Sequence, residues 1–206
     1  MTDVLRLCLD LNIWCAALLA DRKGRQGTAS QCLVEIVRIG SCTIGSVQLV
    51  ISWGMLNRLR LVLEREPFNV TQPVADLYIS VTKGYAELGP AGGGPQLTLG
   101  GTGVIALQDE EDAHVLETAV SGQASILVSA NFRDFISNDT KIVIPERYAI
   151  HTTPAHVLRI AHPYEMMGWL RLGRIPPLVV ERQGATIPSE ANTSCVTGSI
   201  TPPASA

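Results

Sequence analysis

The sequence predicts an α/β fold, and three observations carry that reading. Short apolar runs of strand length alternate along the chain with segments of helical spacing, the pattern of an α/β domain. Ser125 to Ser129 is a short apolar run, as expected of a strand buried on both faces of a parallel sheet. Val4-Leu-Arg-Leu-Cys-Leu-Asp10 is a second such strand, and it ends in a carboxylate. In parallel sheets ligands bind at the carboxyl ends of strands. Asp10 therefore marks one place where chemistry is expected, and the polar turn carrying Asn131 and Asp134 marks another. If the two strands are neighbours, Asp10, Asp112 and Asp134 converge.

The elements follow in order. After Asp10, Asn12 to Ala20 reads as a helix, ending in the basic, glycine-rich loop Asp21-Arg-Lys-Gly-Arg-Gln-Gly27. That loop is either a solvated helix connection or an arm whose Arg22, Lys23 and Arg25 contact phosphate. Ala29 to Ile39 resumes helical spacing and stops at Gly40. Val47 to Ile51 is a strand, Ser52 caps a helix running to about Glu64, and Gln72 to Leu88 is a further helix assigned to packing. Gly89-Pro-Ala-Gly-Gly-Gly-Pro95 is a flexible surface loop. Neither it nor Gly100-Gly-Thr-Gly103 precedes the Gly-Lys-Ser/Thr of a P-loop, so both are punctuation. Asp109 is the N-cap of a helix that stops at Gly122, with Asp112 at the positive end of its dipole. Ala113, Leu116 and Val120 share one face of that helix.

Lys141 to Ile144 is a last short strand. Thr153-Pro154 then looks like an N-cap with proline at the first helical position, and Pro163 to Leu172 forms another helix. From Arg174 onward Pro, Ser, Thr, Gly and Ala dominate. The expected organisation is a main α/β domain over residues 1–150, a helical extension over 151–172, and a weakly structured tail over 173–206 that folding does not need.

Length and composition narrow the function. At 206 residues the chain suits one ordinary domain plus an extension, and 46% hydrophobic residues supply a core. The net charge of −3 offers no overall attraction to a polyanion, so nucleic-acid binding requires a local basic patch. The five cysteines show no zinc spacing, and four lie in apolar contexts, as in a reducing cytoplasm. No leader pattern opens the chain and no apolar run approaches membrane-spanning length. A nucleophile-elbow motif is missing, which removes serine hydrolase chemistry. His151, His156 and His162 lack the i, i+4 spacing of a helical metal pair.

Leu-Asp10-Leu-Asn12 near the start, Asp109-x-x-Asp112-Ala-His-Val-Leu in the middle, and Leu-Val-Ser-Ala-Asn131-Phe-Arg-Asp134-Phe after the second strand form an ordered set. Over roughly residues 4 to 145 this set resembles PIN-domain proteins, in the bacterial branch that includes the toxin nucleases of toxin–antitoxin pairs. The resemblance implies a three-layer α/β/α sandwich with a central, mainly parallel sheet. It also implies RNA cleavage dependent on Mg²⁺ or Mn²⁺. Asp10, Asp112 and Asp134 then stand as metal ligands. Asn131 joins them in the catalytic set, in a slot where many members carry another Asp. Asn12 and Arg133, with the basic loop, face substrate. The implied partners are RNA, an antitoxin protein and a second copy of the chain as a homodimer, with no membrane. Asp109 is a helix cap or a supporting group behind the ligands. His114 serves a structural hydrogen bond or, as a ring near the acids, contacts substrate, the first being favoured.

One departure from the pattern matters. Members carry a Glu on the helix after Ser52, and aligning the Leu-x-x-Val-Leu pattern puts Arg58 in that slot, beside Asn57. A cation there repels a metal ion. Arg58 either pairs with Asp10 or Asp112 or points away and leaves the site one carboxylate short. The readings are thus a metal-dependent ribonuclease, or a PIN-fold module with weakened catalysis that binds RNA or protein. A haloacid dehalogenase type of phosphatase requires Asp-x-Asp after the first strand, and this chain has Asp10-Leu-Asn12.

Overall fold

A computed structural model describes residues 4–91, 94–95 and 110–178. Asp109, Gly92, Gly93, the Gly100–Gly103 run and residues 179–206 lie outside the described residues. The chain divides after Pro176, and the unit Met1–Pro176 carries all the elements below.

Helices and strands alternate as the apolar spacing requires. The strands are β1 (Leu5–Leu9), β2 (Ser41–Cys42), β3 (Gly45–Val50), β4 (Ile126–Val128), β5 (Thr140–Ile144), β6 (Tyr148–Thr152) and β7 (Val157–Ala161). The helices are α1 (Leu11–Arg22), α2 (Ala29–Ile39), α3 (Trp53–Glu64), α4 (Gln72–Glu87), α5 (Glu110–Ser121) and α6 (Pro163–Leu172). A single 3₁₀ turn, Phe132–Phe135, follows β4. The sheet order is β2-β3-β1-β4-β7-β6-β5, with β3, β1, β4 and β7 parallel and antiparallel strands at both edges. Helix α2 packs against α1 and α6, and α3 packs against α4 and α5. The fold is the expected α/β/α arrangement around a centrally parallel sheet.

Local chemistry sets the element ends. Thr28 and Gln31 close a reciprocal capping box at the start of α2, and Gly40 ends it in the left-handed conformation that glycine adopts at least cost. Ser52 caps α3 by accepting from the Met55 amide at 3.2 Å. β1 and β4 are buried along nearly their whole length, as strands covered on both faces must be. Leu7, Leu9, Ile13, Trp14, Leu56, Leu59 and Leu116 are fully enclosed and form the core beneath the carboxyl edge of the sheet.

The structure departs from expectation after residue 145. The segment expected to form a helix from Thr153 contains β7, which pairs with β4 on one side and β6 on the other. Thr153 closes a turn instead: its Oγ1 accepts from the His156 amide at 3.0 Å, and its own amide donates to the His156 carbonyl at 2.8 Å. A Thr-Pro pair serves a turn as well as a helix start, and the burial of Leu158 and Ile160 in the sheet decides the outcome. The expected boundary at residue 150 thus falls inside β6, and residues 151–172 complete the sheet and its helical layer. The tail boundary also moves. Residues 173–176 belong to the first unit, and the Arg159 guanidinium donates to the Pro176 carbonyl at 3.0 Å.

Candidate functional site

The chain leaves β1 for β3 on one side and later returns to β4 on the other, so the order reverses between β1 and β4. Open α/β sheets bind ligands at the carboxyl end of such a switch. Asp10 follows β1 there, and Ser129 to Asp134 follow β4 there. The two ends are tied by backbone, with the Asp10 amide donating to the Val128 carbonyl at 3.0 Å.

Asp10 takes the N-cap backbone position of α1 but spends its carboxylate elsewhere. Oδ2 accepts from the Ser129 hydroxyl and from Asn12 Nδ2, each at 2.6 Å. Ser129 Oγ in turn accepts from Asn12 Nδ2 at 3.1 Å and from the Asn131 amide at 2.9 Å. Asn12 Oδ1 accepts from the Ala130 amide at 3.2 Å. The 3₁₀ turn adds Asn131, whose side-chain amide donates to the Asp134 carboxylate. Asp10, Asn12, Ser129, Asn131 and Asp134 therefore form one hydrogen-bonded unit across the switch. Ser129 is its hub and is fully buried. Sequence reasoning passed over Ser129, although it lies within the motif quoted above.

The electrostatics of this unit are uneven. Asp10 is 5% exposed, and burial raises its carboxyl above the ordinary Asp range. The Ser129 hydroxyl and the nearby amides of Leu11 and Asn12 pull it down, while the Asp134 charge pushes it up. Among the described residues no Lys or Arg forms an ion pair with it. Asp134 and Asn131 are exposed and face solvent. The donors present are all oxygens, two carboxylates and two carboxamides, a set suited to a hard cation that keeps several waters. A buried carboxylate with no ion-pair partner among the described residues fits such an ion.

Other predicted residues fall elsewhere. Asp112 is half-buried in the first turn of α5. Among the described residues no three His, Cys, Asp or Glu side chains are already gathered at metal-binding distance. Arg58 is half-buried on α3, with its Nε out of solvent. Arg22 is used by the fold, donating to the carbonyls of Phe68 at 2.6 Å and Pro67 at 3.3 Å. Arg133 pairs with Glu146 on the surface. Lys23 and Arg25 are exposed and line a cavity beside Ala130.

His114 has the structural role expected of it. Its Nε2 lies 3.2 Å from the Ser52 hydroxyl, and Thr118 Oγ1 lies 3.0 Å from the same oxygen, locking α5 to the cap of α3. Gly54 makes this possible, because a Cβ there would lie 2.7 Å from His114 Cε1 and closer still to Nε2. Gly54→Ala is expected to destabilise the fold by about 2 kcal/mol, the usual size of overpacking, despite alanine's better helix propensity. Adding His114→Ala should recover part of that loss. Equal melting temperatures for wild type and Gly54→Ala would show that the ring moves aside freely.

No helix among the described residues is long and apolar enough to cross a membrane. The family model described as PIN domain matches residues 6–133, which is more than half of the chain. Comparisons with curated proteins and with solved structures returned no match. PIN domains are generally nucleases that act on RNA or DNA and typically use divalent metal ions. The match runs from β1 into the 3₁₀ turn and so contains both sides of the switch, and the chain belongs to the PIN domain family.

Proposed function

We propose that the chain is a metal-dependent endoribonuclease whose centre is the Asp10–Asp134 unit. The observation that carries this reading is Asp10 itself, a buried carboxylate held by Ser129 and Asn12, near Asp134, with no ion-pair partner among the described residues. Asp10 and Asp134 would hold Mg²⁺ or Mn²⁺, with the Asn131 carboxamide adjoining and Asp112 contributing from α5. When bound, the ion supplies Lewis acidity, activating water and offsetting charge on the phosphate. The chain's own residues do the positioning. Asn12 and Ser129 fix the rotamer of Asp10 from two directions, and Asn131 holds Asp134 toward solvent where a phosphodiester can approach. Lys23 and Arg25 supply the local positive charge that the net charge of −3 lacks.

The ordered motifs extend this reading to the toxin of a toxin–antitoxin pair, with an antitoxin protein and a second copy of the chain as partners. The second reading, a module with weakened catalysis that binds RNA or protein, is favoured by Arg58 in the family's Glu slot. One assay separates them. Single-stranded RNA incubated with the protein is expected to be cut in Mg²⁺ or Mn²⁺ and to survive in EDTA. Intact RNA under all metal conditions would reject the nuclease and leave the binding module.

A further inference from the structure

A cavity of about 360 Å³ opens beside the acidic unit, on the side of α1, α2 and α6. Its walls include Lys23 and Arg25 from the α1–α2 loop, Ala130 from the turn after β4, and His162 and Tyr164 from the start of α6. Ala130 connects it to the centre directly, since its amide is bonded to Asn12, which is bonded to Asp10. The cavity is therefore one residue away from the carboxylates.

Its chemistry is mixed in a specific way. Lys23 and Arg25 are exposed, and neither makes an ion pair among the described residues. Thr28 and His162 are the N-caps of α2 and α6, so two helix starts add partial positive charge to the same space. Tyr164 is 64% exposed, unusual for a large aromatic with no packing role on its outer face. Its ring lies 5.2 Å from that of His162, tilted by 39°. The Tyr164 amide donates to His162 Nδ1 at 3.3 Å, which fixes the imidazole under the phenol. Burial and the Arg147 charge lower the affinity of His162 for a proton, which favours the uncharged ring beside Tyr164.

We infer that this cavity is a nucleotide subsite for single-stranded RNA, in which a base next to the cleaved phosphate stacks on Tyr164 while its phosphate rests on Lys23 and Arg25. Cations for the backbone and an aromatic face for the base are the combination by which proteins hold single strands without reading sequence. A duplex does not fit, because its bases are stacked on each other and unavailable to Tyr164. The inference rests on the proposed nuclease reading for the position of the cleaved bond, and on the cavity alone for the binding.

The test is binding of a fluorescein-labelled single-stranded oligoribonucleotide of twelve residues, by fluorescence polarisation, to the full chain carrying Asp10→Asn so that no cleavage intervenes. Adding Tyr164→Ala is expected to weaken binding roughly tenfold with an unchanged salt dependence, while Tyr164→Phe retains the affinity. Removing Lys23 and Arg25 together is expected to flatten the salt dependence by roughly the slope of two phosphates. Tyr164 is on the surface, so its variants should melt with the parent. Undiminished binding by Tyr164→Ala overturns the subsite, as does a parent protein that binds no RNA. Cleavage by the wild type is scored separately. RNA cut by wild type with Tyr164→Ala binding unchanged removes the subsite and keeps the nuclease. A tenfold loss with no cleavage by wild type keeps the subsite and removes the nuclease.

Discussion

Asp10→Asn is expected to lower RNA cleavage by about three orders of magnitude, the several kcal/mol that a bound ion contributes to phosphodiester chemistry. The same substitution is expected to stabilise the apo fold. Asp10 is buried, and burial is the largest influence on its carboxyl, raising it above the ordinary Asp range. An acid whose folded pKa exceeds its unfolded pKa contributes stability that is fully present below the unfolded value. That stability is lost as pH rises through the folded value, and above it the carboxylate is a cost. Asparagine keeps an acceptor for the Ser129 hydroxyl and removes the buried charge, at the loss of one of the two bonds that Oδ2 receives. The net expected gain near pH 7.5 is about 1 kcal/mol, or about 2–4 °C in melting temperature for a chain of this size.

The pH dependence gives the sign independently. The difference between variant and wild type should shrink as pH falls through the raised folded value and level off below the ordinary Asp range, where Asp10 is protonated in both states. Millimolar Mn²⁺ should raise the melting temperature of wild type far more than that of the variant, which lacks the buried carboxylate that anchors the ion. A variant that melts below wild type at all pH values would show that the Asn12 and Ser129 bonds outweigh the buried charge. Cleavage undiminished by the substitution would remove Asp10 from the site.

Asp10 was legible from the sequence because a charged residue ending an apolar strand requires a reason, and the sheet rule supplies its location. The helices α2 and α3 were legible because Gly40 and Ser52 punctuate uninterrupted helical spacing. The middle of the sheet was not. Val157–Ala161 is short and carries Arg159 in mid-strand, and the preceding Thr153-Pro154 imitates a helix start. Only pairing between β4 and β6 makes it a strand, and pairing is not a local property. That error hid the cavity as well, since His162 and Tyr164 reach the acidic unit only when β7 lies beside β4. Ser129 was hidden for a related reason. Its hydroxyl joins residues more than a hundred positions apart, and no spacing within one segment announces such a role. Arg22 was overcounted because a basic loop looks uniform in sequence, whereas the Phe68 and Pro67 carbonyls claim one of its three cations.

Arg58→Glu is expected to strengthen Mn²⁺ binding at least tenfold, and this separates a working centre from a weakened one. The residue sits on α3, whose Leu56, Leu59 and Leu63 are buried and fix the orientation of the helix. Arg58 is half-buried beside that face, with its Nε away from solvent, so its long stem is held within the protein. Two unit charges ~8 Å apart at an effective dielectric of about 20 interact by about 2 kcal/mol. Where the family's Glu slot faces the ion, exchanging a cation for an anion there changes that sum twice, once by removing repulsion and once by adding attraction. The expected order of affinity is therefore Arg58 weakest, Arg58→Gln intermediate and Arg58→Glu strongest, measured by calorimetric titration of the full chain. The neutral variant guards against misreading a folding defect, because it removes the cation without adding a buried acid. Cleavage should rise with affinity where Asp10 and Asp134 remain aligned. If wild type already binds Mn²⁺ tightly and all three proteins bind alike, Arg58 points away from the ion. Its presence in the family's Glu slot then gives no reason to expect weakened catalysis.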